Sequence, residues 1–236
     1  MCRLLLLSNP DGVDPEAHLD AFKKICETSQ EYQGHGWGCA WLDDEGQWRF
    51  HHHIQPIWED HSQFPKTSLF LVHARSAFRD EGIVVENNMP FTDTEHVFLF
   101  NGELRGVKIK ADGRIGAEKI FNYIRRFNKG DMTEATRRGV EIIGKRTRYI
   151  RAMNFFLANA NRVEVCSWFG EDPNYFQLQT QEEKGTRIIC SQRYDFDRGH
   201  NAPWHAIDNH QLCSLDLATS VWSSYPISID SGNQTL

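Results

Sequence analysis

Short apolar runs fill the first and last parts of this chain, while the stretch between them carries two consecutive segments with helical spacing. Leu4, Leu5, Leu6 and Leu7 read as a fully buried strand, which the turn signal Asn9-Pro10-Asp11-Gly12 ends. Asp14 and Pro15 then cap a helix with Leu19, Phe22, Ile25 and Cys26 on one face. Strands are expected at residues 36–42 and 48–53, joined by Asp43-Asp44-Glu45-Gly46, and again at 69–73 and 97–100. A polar loop covers 76–95. Ile120, Phe121, Ile124 and Phe127 give the first central helix its apolar stripe, and Asp131 with Glu134 caps a second that runs to about residue 144. Strands return at 152–158, 163–168, 175–178, 187–191 and 211–215, and from Ser223 the chain is polar and is assigned no element. Such an order does not alternate as a parallel α/β sheet would. It predicts an α+β chain of mainly antiparallel sheets covered by helices, and the even composition predicts one domain over residues 1–236.

Charge and cysteine usage narrow the function classes. A net charge of −6 and a pI near 6.0 argue against nucleic acid or an anionic membrane as partner. No apolar run approaches the roughly 20 residues of a membrane span, and the run after Met1 is too short for a leader. No two of the six cysteines are spaced as a zinc ribbon or redox pair, so reduced thiols and a cytoplasmic setting are expected. His51, His52 and His53, with His35 and His61 nearby, invite a metal. On a strand His51 and His53 share a face and His52 points away, which leaves two ligands where zinc needs more. No metal and no cofactor are expected.

Three features carry chemistry. Removing Met1 would leave Cys2 with a thiol and a free α-amine, and an α-amine titrates near 8, low enough to act as a base. That is a self-contained nucleophile and base. Arg75 ends a predicted strand, where its planar fork can grip a carboxylate; the plain alternative is a surface ion pair with Glu86 or Asp93. Asn101 and Gly102 follow another strand and offer an amide donor and an accessible backbone N–H, as an oxyanion needs. The same dipeptide is also a common hairpin turn.

Cys2, Gly36-Trp37-Gly38, His73-Ala74-Arg75, Asn87-Asn88-Met89-Pro90-Phe91 and Asn101-Gly102-Glu103-Leu104 occur in the order seen in class II glutamine amidotransferases. The chain resembles the compact stand-alone members of that group. Asn154 to Leu157 and Ile189-Cys190-Ser191, followed by Trp204, extend the likeness into the last third. The resemblance implies a four-layer αββα sandwich of the N-terminal-nucleophile hydrolase type. It implies Cys2 as nucleophile, its α-amine as base, Asn101 and Gly102 as oxyanion hole, and Arg75, His73, Gly36 and Trp37 around the substrate. The expected substrate is glutamine or another small γ-glutamyl amide, cleaved through a thioester. Two other readings stay open: an ammonia-supplying subunit of a separate synthetase, and an inactive binding homologue. The sequence gives no oligomeric state. Two positions depart from the family. Met89 stands where histidine is usual, and aligning the family's glutamate on Glu118 puts Gly116 where an aspartate binds the substrate's α-ammonium. Asp112 is the one nearby acid that could substitute for it.

Overall fold

Four consecutive leucines can be buried together only in a strand covered on both faces, and that is where the chain puts them. The computed structural model describes residues 1–77, 81–195 and 202–228. Its first strand, β1 (Arg3–Val13), lies inside a sheet with all four leucines at 0% exposure. Helix α1 (Glu16–Glu27) follows, then the hairpin β2 (Trp37–Leu42) and β3 (Trp48–His53), and then β4 (Thr67–Ala74). The strands β5 (Phe91–Thr92) and β6 (Val97–Val107) precede the helices α2 (Gly116–Arg125) and α3 (Met132–Lys145). The rest is β7 (Thr147–Ala158), β8 (Arg162–Ser167), the single turn α4 (Pro173–Phe176), β9 (Gln179–Glu183), β10 (Thr186–Cys190), β11 (His205–Ala206), β12 (Gln211–Asp216) and β13 (Trp222–Pro226).

Among the described residues these strands form two sheets, ordered β11-β9-β10-β1-β4-β2-β3 and β13-β12-β8-β7-β6-β5, with antiparallel neighbours throughout. The alternation of side chains across a strand sorts the core into three layers. Leu5, Leu7, Phe70 and Val72 pack with Leu19, Phe22, Ile25 and Cys26 of α1. Leu4, Leu6, Leu69 and Leu71 meet Val97, Leu99, Phe156 and Ala158 between the sheets. Phe98, Phe100, Phe155 and Leu157 pack under Ile120, Phe121, Ile124 and Ile143 of α2 and α3. The architecture is therefore an α+β, four-layer αββα sandwich. No helix among the described residues is long and apolar enough to cross a membrane.

The expected buried face of α1 is the one observed, and Asp131 caps α3 by accepting the Glu134 N–H at 3.0 Å. Four expectations need correction. Asn9-Pro10-Asp11-Gly12 does not end β1; the strand continues to Val13 through a register shift after Ser8. Residues 175–178 are not a strand, because Asp172 in the left-handed region (φ 48°) starts the turn α4 and the true strand begins at Gln179. Trp222–Pro226 is an edge strand beside β12 rather than a polar tail, while residues 229–236 lie outside the described residues. Asn101 and Gly102 are not a hairpin turn. They sit inside β6, opposite Asn154 and Met153 of β7.

Candidate active site

The same alternation that sorts the core selects the groups at one end of the inter-sheet layer. Cys2 continues the Leu4–Leu6 side of β1, His73 the Leu69–Leu71 side of β4, Asn101 the Val97–Leu99 side of β6, and Asn154 the Phe156–Ala158 side of β7. Both β1 and β4 lie against β6, and the ring Nε2 of His73 bonds the Phe100 carbonyl across the gap at 3.2 Å. The apolar layer thus ends in a polar cap that sequence order alone would scatter over 150 residues of chain.

Within this cap the Cys2 thiol is 8% exposed and held against the residue after the Arg75 strand end. The Ser76 N–H donates to Sγ at 3.4 Å, and Sγ lies 3.7 Å from the Ser76 carbonyl. Burial pushes the thiol above its ordinary pKa, opposed by the N-terminal ammonium, the Ser76 N–H and Arg75. A thiol kept protonated in this way needs a base at hand to become a nucleophile. In the full chain Met1 precedes Cys2. Its ammonium pairs with Glu31, and its carbonyl accepts from Gln33 Nε2 at 2.6 Å and from the Tyr175 hydroxyl at 2.5 Å.

Arg75 is no surface residue. It is 5% exposed, and its fork donates to Asn88 Oδ1 at 3.2 Å and to the Gly82 carbonyl at 2.8 Å. Of the two partners considered from sequence, Asp93 is instead engaged by Arg125 and His96, and Glu86 is exposed. Among the described residues the guanidinium is aimed by neutral acceptors and has no carboxylate partner, which leaves its charge for a ligand. Gly36 is required beside it. Its φ of +97° favours glycine, and a Cβ there would collide with the Asn88 amide that orients Arg75. The Gly36 carbonyl also receives the Arg75 N–H at 2.9 Å.

Asn101 is fully buried, and neither its Nδ2 nor its Oδ1 has a partner among the described residues. Buried polar side chains are rarely left so, and each instance calls for an explanation. Its cross-strand neighbour Asn154 is in the opposite state, bonding the Phe176 carbonyl at 2.6 Å and accepting the Trp168 N–H at 2.9 Å. Gly102 faces the Ala152 carbonyl so closely that no Cβ fits. His73 is wholly buried, and burial with the nearby Arg75 lowers its pKa to about 3. It is a neutral strut between the sheets at any physiological pH.

Trp37 does not join this cluster, and its sequence-based assignment is corrected. It lies on the opposite face of its sheet, in the α1 layer, where Nε1 donates to Asp60 at 3.1 Å. The histidine run behaves as its alternation implied. His51 bonds Asp60 at 2.8 Å, and its ring stacks with that of His53, while His52 turns the other way to the Pro90 carbonyl at 3.0 Å. Burial works against ionisation of Asp60, yet donors from Ser62 and His51 hold its carboxyl well below the usual range. The thioether of Met89 accepts the Phe100 N–H at 3.1 Å, so this departure from the family serves as a backbone contact beneath the site.

Gly116 opens α2 between Arg114 and Glu118, which with Glu86, His52, Asn88 and Phe91 line a cleft of about 340 Å³. A Cβ on Gly116 would meet nothing within 4 Å. Glu118 is already engaged by Arg114 through the guanidinium at 2.8 Å. Asp112 is exposed in the preceding loop, where its carbonyl receives Asn122 Nδ2 at 3.0 Å. Sequence reasoning missed Asn88 as the support of Arg75, Ser76 as the contact of the thiol, and Gln33 and Tyr175 around Met1. Asn88 and Ser76 lay in or beside motifs that had been singled out, and Gln33 and Tyr175 did not.

No protein-family model matches the chain, and no curated protein matches it. Solved structures do. The glutamine phosphoribosylpyrophosphate amidotransferase from B. subtilis, complexed with ADP and GMP, matches at TM-score 0.67 and 14% identity over 97% of this chain and 50% of that one. A structure described as the allosteric regulatory enzyme of purine biosynthesis matches at TM-score 0.71 and 15% identity, again over 97% and 50%. A glutamine aminotransferase class-II domain protein from Silicibacter pomeroyi matches at TM-score 0.62 and 12% identity, over 97% of this chain and 100% of that one. The chain thus spans half the length of the first two and the whole of the third. At these identities the likeness is one of architecture, and it agrees with the sandwich described above: the chain shares the fold of these glutamine amidotransferase structures.

Proposed function

We propose that the chain is a single-unit N-terminal cysteine amidohydrolase of cytoplasmic setting, acting on a small γ-glutamyl amide. The observation that carries this reading is the buried Asn101 amide, without a partner among the described residues and on the strand face that continues Val97 and Leu99 of the inter-sheet layer. Once Met1 is removed, the Cys2 α-amine takes the thiol proton as Sγ attacks the amide carbon. The carbonyl oxygen becomes an oxyanion facing Asn101 Nδ2 and the Gly102 N–H. Collapse breaks the C–N bond, the α-ammonium returns its proton to the leaving nitrogen, and a thioester remains on Cys2. Water, activated by the same amine, releases the acid and restores the thiol. Arg75 holds the carboxylate of the glutamyl group throughout, with Gly36 and Asn88 keeping it aimed.

The decisive experiment compares Met1-processed protein, a form retaining Met1, and Cys2→Ala, all checked for folding by circular dichroism. Processed protein should hydrolyse a γ-glutamyl amide and gain the mass of one acyl group with a γ-glutamyl electrophile. The other two should be inactive, and full turnover by the Met1-retaining form would sink the mechanism. A second reading, an ammonia-supplying subunit for a separate synthetase, is favoured by the doubled length of two similar structures. It predicts near silence of the purified, processed chain despite covalent labelling of Cys2.

A further inference from the structure

The groups that grip Met1 do so in a way that fits what Met1 leaves behind. The Met1 ammonium pairs with the Glu31 carboxylate, which Arg151 also holds at 3.1 Å while bridging to Asp172 at 2.8 Å. The Met1 carbonyl takes two hydrogen bonds, from Gln33 Nε2 and the Tyr175 hydroxyl. Gln33 is fully buried, and its amide also donates to the Glu31 carbonyl at 2.7 Å and lies 3.1 Å from the Tyr175 oxygen. Tyr175 is fixed in turn. Arg3 stacks over its ring at 3.9 Å and donates to its carbonyl at 3.2 Å, and the Ser29 hydroxyl lies within reach of its phenol.

Consider the balance of donors and acceptors when Met1 departs. Glu31 loses its ammonium, and Tyr175 and Gln33 lose the carbonyl they shared. In the same place Cys2 acquires an ammonium of its own. Gln33 Nε2 has two N–H groups, and the Glu31 carbonyl and the Tyr175 oxygen satisfy both. The phenol proton can turn to Ser29, which leaves a lone pair on Tyr175 for the new ammonium. Glu31 supplies the opposite charge one residue away from where it now sits.

We propose that Tyr175 and Glu31 form the seat of the processed Cys2 α-amine, with Gln33 and Arg151 as positioning residues that hold them. The inference rests on the N-terminal-amine mechanism above and adds the acceptors that mechanism needs. When the thiol proton moves to the amine, the ammonium that forms is met by an oxygen and a carboxylate already in place. The thiolate beside it is left to the Ser76 N–H and to Arg75. Acceptors that stabilise the charged form hold the amine's pKa up, so removing either lowers it.

The test reads the amine directly. In Met1-processed protein, the rate of α-amine acylation against pH, followed by intact mass, gives its titration in wild type, Tyr175→Phe and Glu31→Gln. Tyr175→Phe keeps the ring under Arg3, and Glu31 is a half-buried residue whose amide keeps the shape, so at least one variant remains folded. Both should move the titration down by about one pH unit, Glu31→Gln by more because it removes a charge. The acid limb of kcat/KM should move down with it, kcat at the plateau should fall about tenfold or more, and KM should hold. Titrations unchanged in both variants overturn the seat, whatever the activity. A shifted titration in a chain that hydrolyses no γ-glutamyl amide leaves the seat standing and overturns the amidohydrolase reading instead.

Discussion

The strand end that carries Arg75 and the helix end that carries Gly116 are in opposite states. On the strand side every part is fixed. Gly36 cannot accept a side chain, Asn88 is tied to the His53 carbonyl at 2.8 Å, and the buried guanidinium meets only neutral acceptors among the described residues. On the helix side Gly116 faces open space, and the Glu118 carboxylate in the first turn of α2 is paired with Arg114. A buried cation aimed by neutral acceptors on one side, with Gly116 offering no side chain on the other, fits a ligand that brings a carboxylate and lacks a free ammonium. An ammonium moved into such a site loses hydration and gains little in return.

The comparison can be broken in three places. Asn101→Ala, which touches neither side, should lower kcat by about 10²- to 10³-fold with KM little changed, since an oxyanion donor acts chiefly in the transition state. Arg75→Ala should cost about 10- to 150-fold in kcat/KM, mostly through KM, because charge-assisted bonds of about 1.5–3 kcal/mol hold ground and transition states alike. If the two variants gave the same kinetic pattern, their roles would not be separate. Gly116→Asp sharpens the contrast from the other side. Free glutamine should be a poor substrate of the unmodified chain, and its N-acyl or desamino analogues should be better ones. The added carboxylate should improve kcat/KM for glutamine by up to about 100-fold. Efficient glutamine hydrolysis that ignores Gly116→Asp but is lost in Asp112→Asn would transfer the missing role to Asp112.

What could be read from sequence divides along similar lines. The face of α1 and the cap of α3 were legible because both depend on residues within a few positions of each other. The edge strand at Trp222–Pro226 was not, since an edge exposed to solvent tolerates serine, tyrosine and proline and so lacks an apolar pattern. Asn101-Gly102 misled locally, because the dipeptide that suits a turn here serves a strand whose neighbour leaves no room for a side chain. Cys2, Arg75 and Asn101 were legible as a family order. Their supports were not: Tyr175 and Gln33 lie 142 residues apart, and nothing periodic connects them. Trp37 was carried along by its place in a motif, although strand alternation already puts it on the face away from Gly38 and His73.

Asn101 bears on the heat resistance of the whole chain as well. A buried polar group without a partner costs about 1–3 kcal/mol, a sizeable share of the roughly 5–15 kcal/mol that keeps a domain folded. The Nδ1 of His73, buried in the same cap without a partner among the described residues, adds to it. Selection for thermal stability alone would therefore press hardest on this end of the sandwich, and apolar replacements there would give a hardier protein without the proposed oxyanion donor. The rest of the inter-sheet layer, leucine and valine against phenylalanine and alanine, carries no such conflict. Any programme that hardens this protein should draw its changes from that apolar stretch and leave the polar cap as it is.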